Sequence, residues 1–447
     1  MNPERASIRI FLGLTEVSGF FSRLQSGFQQ IGVDAVHVSL HAHRFDYASG
    51  ATMPLLGRLA QWAVRQRVGA VADGRLSRHL WIIPVVVTRL MLFIWAIWRF
   101  DVFIMGAGSS FFGLRELPLL KWLGKTVIYT LHGTDARPPY IDGFFSPADY
   151  GLTPTVSRTE NQAAVLAEAH SVVTETRLNF VRKVERHASF VLCAPSYAQF
   201  LSRPFVNFYA IGLPTEVPFG INTTIQPVRD TVRILHAPSH AAGKGTTEIR
   251  GVINRLKDSG LAIDYEEISG RPNIEVFEAI TRCDLVIDQF YADTPMAAFP
   301  AEAAAMGRPA VVGGYFSDRA KEEITTAFLP PSAFCLPNNM DDTVARMLQE
   351  PDERRRLGEA AKGFVSNEWS SVKVAERMFE LLRKVPDGWI LDPLKLEYIR
   401  GIGLSENQAR ANVAAMIELK GVASLGLRHK PDLERRFVEF AAGQDMR

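Results

Sequence analysis

Residues 283–314 read CDLVIDQFYADTPMAAFPAEAAAMGRPAVVGG, and this stretch decides the fold. The apolar run at 285–287 predicts a buried strand that ends at Asp288. The alanine-rich segment 297–306 predicts a helix, which a glycine closes directly before the next predicted strand at 310–312. A strand, a helix and a second strand in this order are typical of parallel pairing with a right-handed crossover.

The same alternation runs through the rest of the chain. Strands are predicted in the first half at 8–12, 35–38, 100–105, 127–131, 189–192 and 208–211, and in the second half at 233–236, 263–268, 285–287, 310–312 and 334–336. Residues 213–231 lose this periodicity and carry three prolines and a glycine, which is typical of a linker. We therefore predict an α/β protein with two Rossmann-like domains. The predicted units are an N-terminal domain over 1–215, a linker over 216–231, a C-terminal domain over 232–385 and a helical extension over 386–447.

The composition is that of a globular protein. A chain of 447 residues is too long for one core, and its 47% hydrophobic and 22% charged content excludes a disordered chain. A net charge of +2 gives no general indication of nucleic-acid binding. Cys193, Cys283 and Cys335 lie far apart, which argues against a zinc site and suggests a reduced compartment. The N-terminus lacks the order of a signal peptide, so we expect a cytoplasmic protein.

One strongly apolar segment, 75–100, reads RLSRHLWIIPVVVTRLMLFIWAIWRF. A spanning helix needs about 20 nearly uninterrupted apolar residues. Arg89 interrupts the run near its middle at a cost of several kcal/mol in lipid, so we reject a transmembrane span. Two interpretations stay open. One is a helix lying in the membrane surface, with Trp81, Trp95 and Trp98 near the interface; the other is a buried helix covering a sheet. Both hold if one face packs and the other touches lipid.

The stretch RILHAPSHAAGKGTTEI, residues 233–249, favours phosphate binding. A strand ends at His236, a loop of small residues follows, and Lys244 leads into a helix. Lysine is a point charge suited to phosphate, and a helix N-terminus adds N–H donors and a positive dipole end. The P-loop pattern GxxxxGK[ST] is absent. An ordinary strand-loop-helix with a solvated lysine is the alternative.

Two further clusters stand where predicted strands end, which is where open α/β sheets bind ligands. Glu302 is the lone carboxylate of the alanine-rich helix and could accept two hydrogen bonds from ribose hydroxyls. A solvent-facing glutamate in a helix of high propensity is its alternative. In the stretch LHGTDARP, residues 131–138, a predicted strand ends in His132, Asp135 and Arg137.

These stretches carry a family resemblance. The chain resembles the nucleotide-sugar glycosyltransferases of the GT-B fold, especially their retaining GT4-like group. HAPSHAAGKGT is similar to the donor-phosphate segment of that group, and DLVIDQF…AEAAAMGRPAVV to its D-x-V-x-D-Q…E-A-M-A-x-G-x-P-V-V block. HGTDAR is similar to its HG-[ST]-D-x-R loop. The resemblance covers roughly residues 8–385 and implies that the two Rossmann-like domains face a central cleft.

The resemblance implies transfer of a sugar from a nucleotide diphosphate sugar to a hydroxyl acceptor, with retention and without a metal or other cofactor. It implies catalytic roles for His132, Asp135 and Lys244. It also implies that Glu302 binds the ribose of the donor and that Arg137 binds a phosphate of the acceptor. Gly19, in LTEVSGFF, corresponds to a loop that closes over the donor. The other donor-binding positions are Ser239, Gly245, Thr246, Asp293, Thr294, Met296 and Ala297.

The sequence departs from the family pattern on the side of the transferred sugar. Where the family often carries E-x7-E, Thr294 takes the place of the first glutamate and Asp293 stands beside it. Pro295, Met296 and Ala297 replace the usual glycines, and Ser239 stands where many members have arginine. Three explanations stay open: Asp293 takes the role of the missing glutamate, the protein uses a different donor, or catalysis is lost. The sequence therefore indicates the contacts to the nucleotide more firmly than the contacts to the sugar.

The function expected from the sequence is therefore glycosyl transfer to a glycan or lipid-linked acceptor, in envelope or surface polysaccharide synthesis. The protein would be cytoplasmic and peripheral at the inner face of the cytoplasmic membrane, with contact through 75–100. Two alternatives share the two-domain plan: a nucleotide-sugar 2-epimerase and a non-catalytic binding or scaffold protein.

Overall fold

The computed structural model describes residues 8–41, 53–74, 79–152, 162–222 and 230–444. Over these ranges the chain forms a seven-stranded sheet and a five-stranded sheet. Neighbouring strands are parallel in both sheets except at one edge of the larger one. The predicted fold class, two parallel α/β domains with a helical C-terminal extension, is confirmed.

The first domain is built on the seven-stranded sheet, in the order β12-β6-β5-β4-β3-β1-β2. Its strands are β1 (Arg9–Leu14), β2 (Asp34–Ser39), β3 (Val102–Gly106), β4 (Thr126–Thr130), β5 (Phe190–Cys193), β6 (Phe205–Asn207) and the late β12 (Ile390–Leu391). Its helices are α1 (Phe20–Gln30), α2 (Leu55–Ala72), α3 (Ile82–Arg99), α4 (Leu117–Trp122), α5 (Gly133–Ala136), α6 (Gln162–His187) and α7 (Phe208–Ile211).

Helices cover both faces of this sheet because its strands are apolar on both sides. In β1, Ile10 and Leu12 pack into one core with α1, whereas Phe11 and Leu14 pack into another with α2, α3 and α6. Parallel strands that are buried on both faces have almost continuous apolar sequences. This is why the strands could be predicted from the sequence.

One predicted strand is wrong. Residues 208–211 form the short helix α7, and the strand lies just before them as β6. Asn207 lies at the helix start, where its side-chain oxygen accepts the backbone N–H of Tyr209 at 3.1 Å. This local cap outweighs the apolar, aromatic composition that suggested a strand.

The second domain is built on the five-stranded sheet, in the order β11-β10-β9-β7-β8. Its strands are β7 (Val232–His236), β8 (Ile263–Glu267), β9 (Leu285–Ile287), β10 (Ala310–Gly313) and β11 (Ala333–Cys335). Its helices are α8 (Ala241–Lys244), α9 (Thr246–Asp258), α10 (Asn273–Arg282), α11 (Ala298–Ala305), α12 (Ala320–Glu323), α13 (Met340–Gln349), α14 (Pro351–Glu368) and α15 (Ser371–Leu381).

The chain returns to the first domain after α14. Helix α15 packs against α1, and the two backbones approach so closely that a Cβ at Gly27 would lie 1.9 Å from the Ser371 carbonyl oxygen. The extension then supplies β12 to the edge of the first sheet, followed by α16 (Glu406–Lys420) and α17 (Pro431–Ala441).

The extension contacts both domains. The Gly143 N–H of the first domain donates to the Ile402 carbonyl at 2.8 Å, and the Gly403 N–H donates to the Tyr291 carbonyl of the second at 2.7 Å. The domain boundary at residue 386 stays a proposal. Strand β12 lies after this boundary, yet it belongs to the sheet of the N-terminal domain.

Candidate functional site

A cavity of about 280 Å³ lies between the two domains, beyond the carboxyl ends of β7 and β8. The first domain contributes Ser18 to its wall. The second contributes, among others, Ser239, Lys244, Arg271, Asn273, Ala297 and Glu302. The structure thus brings together four of the predicted donor-binding positions from two separate stretches of sequence, Ser239, Lys244, Ala297 and Glu302. Ligand binding beyond the carboxyl ends of parallel strands is the general behaviour of such sheets.

Lys244 ends the one-turn helix α8 and turns its ammonium towards the end of β9. Its Nζ donates to Asp288 Oδ1 at 2.8 Å, with the lysine side chain 12% exposed and the aspartate 1%. The other aspartate oxygen has no hydrogen-bond partner among the described residues. Gly245 follows with a φ of 68°, and a Cβ there would lie 2.6 Å from that of Phe290. Only glycine fits at position 245, where the chain turns from the lysine into α9.

Thr246, also predicted to bind the donor, forms a hydrogen bond within the protein. Its hydroxyl lies 2.9 Å from His236 Nε2, and His236 Nδ1 lies 2.8 Å from the Ile287 carbonyl oxygen. Burial lowers the pKa of His236. Thr246 therefore ties the start of α9 to β7 and β9, and its hydroxyl is not among the groups that line the cavity.

Glu302 is buried and held by two side chains that the sequence did not single out. Arg23 Nη2 of α1 lies 2.5 Å from Glu302 Oε1, and Asn273 Nδ2 of α10 lies 3.2 Å from both carboxylate oxygens. Burial raises the pKa of Glu302, and the Arg23 charge and the Asn273 amide oppose that rise. The alternative of a solvent-facing glutamate is wrong, since Glu302 is 2% exposed.

The loop that carries Gly19 is held by hydrogen bonds to Glu16, a residue of the same loop. The Glu16 carboxylate accepts the backbone N–H groups of Val17, Phe21 and Ser22 at 2.7, 3.2 and 2.9 Å. These bonds occupy donors at the start of α1 that would otherwise favour an anion. Gly19 itself has a φ of 78° and lies next to Ser18 rather than in the cavity wall.

His132 and Asp135 form the turn at the end of β4. The His132 N–H donates to Asp135 Oδ2 at 2.9 Å, and His132 Nε2 lies 3.3 Å from the Thr130 hydroxyl. Burial lowers the pKa of His132 to about 4 and raises the pKa of Asp135 to about 7. The imidazole is therefore neutral near pH 7. The Asp135 carboxyl caps its own loop, and neither side chain lines the cavity.

Arg137 lies in a buried network that joins the domains. Its guanidinium pairs with Asp293 of the second domain and lies 3.6 Å from Asp142, while Arg177 Nη1 donates to Asp142 at 2.9 Å. Arg137 is 3% exposed and Asp293 2%. Binding of an acceptor phosphate by Arg137, as the sequence suggests, would require this network to open.

The predicted sugar side of the donor site also faces the first domain. Asp293 pairs with Arg137, and the Thr294 hydroxyl lies 2.8 Å from the Tyr209 hydroxyl. The structure brings neither side chain, nor that of Met296, into the cavity wall. Among the ranges given above, no group of three or more His, Cys, Asp and Glu side chains is placed to hold a metal ion.

No family model and no curated protein matches the sequence. Solved structures are similar in fold. S. aureus MnaA with UDP is 11% identical at a TM-score of 0.43, covering 84% of this chain and 96% of that one. Anabaena HepE with UDP and glucose is 11% identical at 0.45, covering 83% and 98%. An alpha-glucosyltransferase in complex with UDP and a mismatched DNA is 12% identical at 0.46, covering 84% and 99%.

Proposed function

We propose that this protein transfers a sugar from a nucleotide diphosphate sugar to a hydroxyl acceptor. The observation that carries the proposal is the single cavity lined by both Lys244 and Glu302. An ammonium suits the diphosphate, and a carboxylate suits the paired hydroxyls of ribose. The two groups come from different strand ends of the second domain, so the donor nucleotide would lie across them.

The chemistry needs stabilisation of the departing diphosphate. The bond between the sugar C1 and the phosphate oxygen breaks, and a bond between C1 and the acceptor oxygen forms. We propose that attack occurs on the face from which the leaving group departs, so the configuration is retained and the acceptor proton passes to the leaving phosphate. Lys244, which lines the cavity, would supply positive charge where negative charge develops. A neutral His132 can hydrogen-bond the acceptor but is too weak a base to remove its proton.

The direct test is nucleotide binding followed by turnover. UDP, dTDP, GDP and ADP would be screened by thermal shift, since a ligand that binds only the native state raises its stability by about 2.7 kcal/mol at 100 times Kd. The matching nucleotide sugars would then be incubated with glycan and lipid-linked acceptors. Binding of none of the four nucleotides would contradict the proposal.

A non-catalytic binding protein is the second candidate, and one observation favours it. Asp293 and Thr294, which stand where the family pattern places the transferred sugar, are engaged by Arg137 and Tyr209. A protein of this kind would bind nucleotide without release of UDP from any donor. A nucleotide-sugar 2-epimerase would instead convert UDP-N-acetylglucosamine without an acceptor, which product analysis detects.

We also propose that the acceptor is lipid-linked and that the protein docks on the inner face of the cytoplasmic membrane. One described helix, α3, is long and apolar enough to cross a membrane by length and composition. Its inner side packs in the core through Val85, Leu92, Phe93 and Ala96. Its outer side and α2 expose large apolar side chains, among them Leu55, Leu59, Trp62, Val68, Ile83, Val86, Val87, Leu90, Met91, Ile94 and Trp98.

Charge supports a lipid surface as the occupant of this α2–α3 face. The two helices carry five arginines and no Asp or Glu, and one of the five, Arg99, pairs with Asp34 of β2. An apolar face flanked by arginine suits an anionic bilayer, into whose interface tryptophan also inserts. The packed inner side favours a helix lying in the membrane plane over a spanning one, and both interpretations of 75–100 then hold. Residues 75–78 of that segment lie outside the described ranges.

A further inference from the structure

The contact between Arg23 and Glu302 joins the two domains across the cavity. Arg23 lies in the first full turn of α1, where its backbone N–H donates to the Gly19 carbonyl at 3.0 Å. Its guanidinium reaches Glu302 of α11 at 2.5 Å, with 10% of the arginine side chain and 2% of the glutamate side chain exposed. The first domain therefore holds the carboxylate that would receive the donor ribose in the second.

The geometry leaves room for a ligand on the same carboxylate. An ionised carboxylate offers about four acceptor positions. Arg23 occupies one at Oε1, and the Asn273 amide lies 3.2 Å from both oxygens. Glu302 also lines the cavity, so the ribose hydroxyls would take the acceptor positions that these two side chains leave.

We propose that Arg23 is a positioning residue for the ribose of the nucleotide, holding Glu302 ionised and turned towards the cavity from the opposite domain. The proposal rests on the proposed donor function. A ribose needs a carboxylate that accepts two hydrogen bonds, and a protonated carboxyl presents a donor in place of one acceptor. Arg23 supplies a positive charge that opposes the rise in the pKa of this buried group.

Within the part of the chain that the structure describes, few charged groups lie around Glu302. Arg23 faces it from α1, and the neutral Asn273 faces it from α10. Lys244 and Arg271 line the same cavity, and the first is paired with Asp288 at 2.8 Å. Arg271 is 65% exposed and lies 3.9 Å from Glu275. Arg23 is thus the cation in direct contact with the carboxylate.

The test is the pH dependence of nucleotide affinity, measured by calorimetry with whichever of UDP, dTDP, GDP and ADP binds the wild-type protein. In R23M the cation in direct contact with Glu302 is gone, so burial should raise the pKa of the carboxyl further and favour its protonated form at the acid end of the range. We expect a loss of at least tenfold in affinity at pH 6 that shrinks progressively up to pH 9. R23K keeps the charge and should stay within about threefold of wild type at every pH.

Two comparisons separate this role from a structural one. E302Q should lose affinity equally at all pH values, and R23M/E302Q should bind no more weakly than E302Q alone, because the arginine acts through the glutamate. R250M, which removes an exposed arginine paired with Glu267, is the matched control and should bind as wild type does. Should R23M fail to fold, R23K and R23Q give the same comparison of charge against no charge.

The outcomes distinguish the inference from the function beneath it. Wild-type affinity and pH dependence in R23M or R23Q, or additive losses in the double variant, would overturn the role of Arg23 while leaving the donor function standing. Absence of nucleotide binding by the wild-type protein would overturn the proposed function itself.

Discussion

Arg137 of the first domain and Asp293 of the second form an ion pair that is almost wholly buried at the interface between them. The pair is part of a network with Asp142 and Arg177, each of which is also buried. Buried charges are held by their partners, because an unpaired charge in the interior is costly. Loss of Arg137 would therefore leave Asp293 buried without its partner at the contact between the domains.

Replacing Arg137 by Met should destabilise the protein strongly. The substitution leaves Asp293 buried without its partner, so we expect a loss of about 3–5 kcal/mol in the free energy of unfolding. Urea denaturation measures it. R250M removes an exposed pair and should cost at most about 1 kcal/mol. If R137M kept wild-type stability yet raised the KM for a phosphorylated acceptor, Arg137 would be an acceptor ligand instead.

Replacing Lys244 by Ala should abolish most turnover. The loss of one charged donor to a developing anion costs about 10² to 10³ in rate, so kcat should fall by that factor with the correct donor. The substitution also leaves Asp288 buried beside an absent partner. K244A/D288N removes both charges, and we expect it to regain stability but not activity. Recovery of activity in this double variant would show that Lys244 acts only by neutralising Asp288.

His132 and Asp135 should affect stability with opposite dependence on pH. Burial raises the pKa of Asp135 from 3.8 to about 7, so the folded state binds more protons than the unfolded state in this window, and stability falls as pH rises through it. Burial lowers the pKa of His132 from 6.5 to about 4, so the unfolded state binds more protons there, and stability rises with pH. The two effects offset each other between about pH 4 and 6.5.

Single substitutions should expose each effect. In D135N the free energy of unfolding should rise with pH between 4 and 6.5 by on the order of 2–3 kcal/mol more than in wild type, and in H132Q it should fall instead. Urea denaturation at a series of pH values measures both. Parallel profiles in all three proteins would mean that neither group titrates abnormally in the folded state.

The sequence predicted the sheets better than the site, and the reason is physical. Buried parallel strands leave a local signature in β-branched and apolar runs, so β3, β4 and β9 could be located from a few residues each. The partner of Glu302 leaves no such signature, since Arg23 stands 279 residues away and only the packing of two domains brings them together. The family resemblance predicts Asp293 as a donor-binding residue, and nothing in the sequence around it indicates its ion pair with Arg137.

Membrane docking through the α2–α3 face is tested by its most exposed residues. Trp98 is 82% exposed and Ile94 49%, so I94S/W98S should leave the core intact while removing apolar area from the face. Trp95 is unsuitable, because it packs on Phe100 at 5.1 Å between ring centroids. We expect co-sedimentation with phosphatidylglycerol-containing vesicles to fall at least fivefold, with melting temperature unchanged.

L394S, at another exposed apolar position, is the control. Equal binding of wild type to pure phosphatidylcholine vesicles would remove the role of the arginines, and unchanged sedimentation of I94S/W98S would show that the α2–α3 face is not the surface that binds the vesicles.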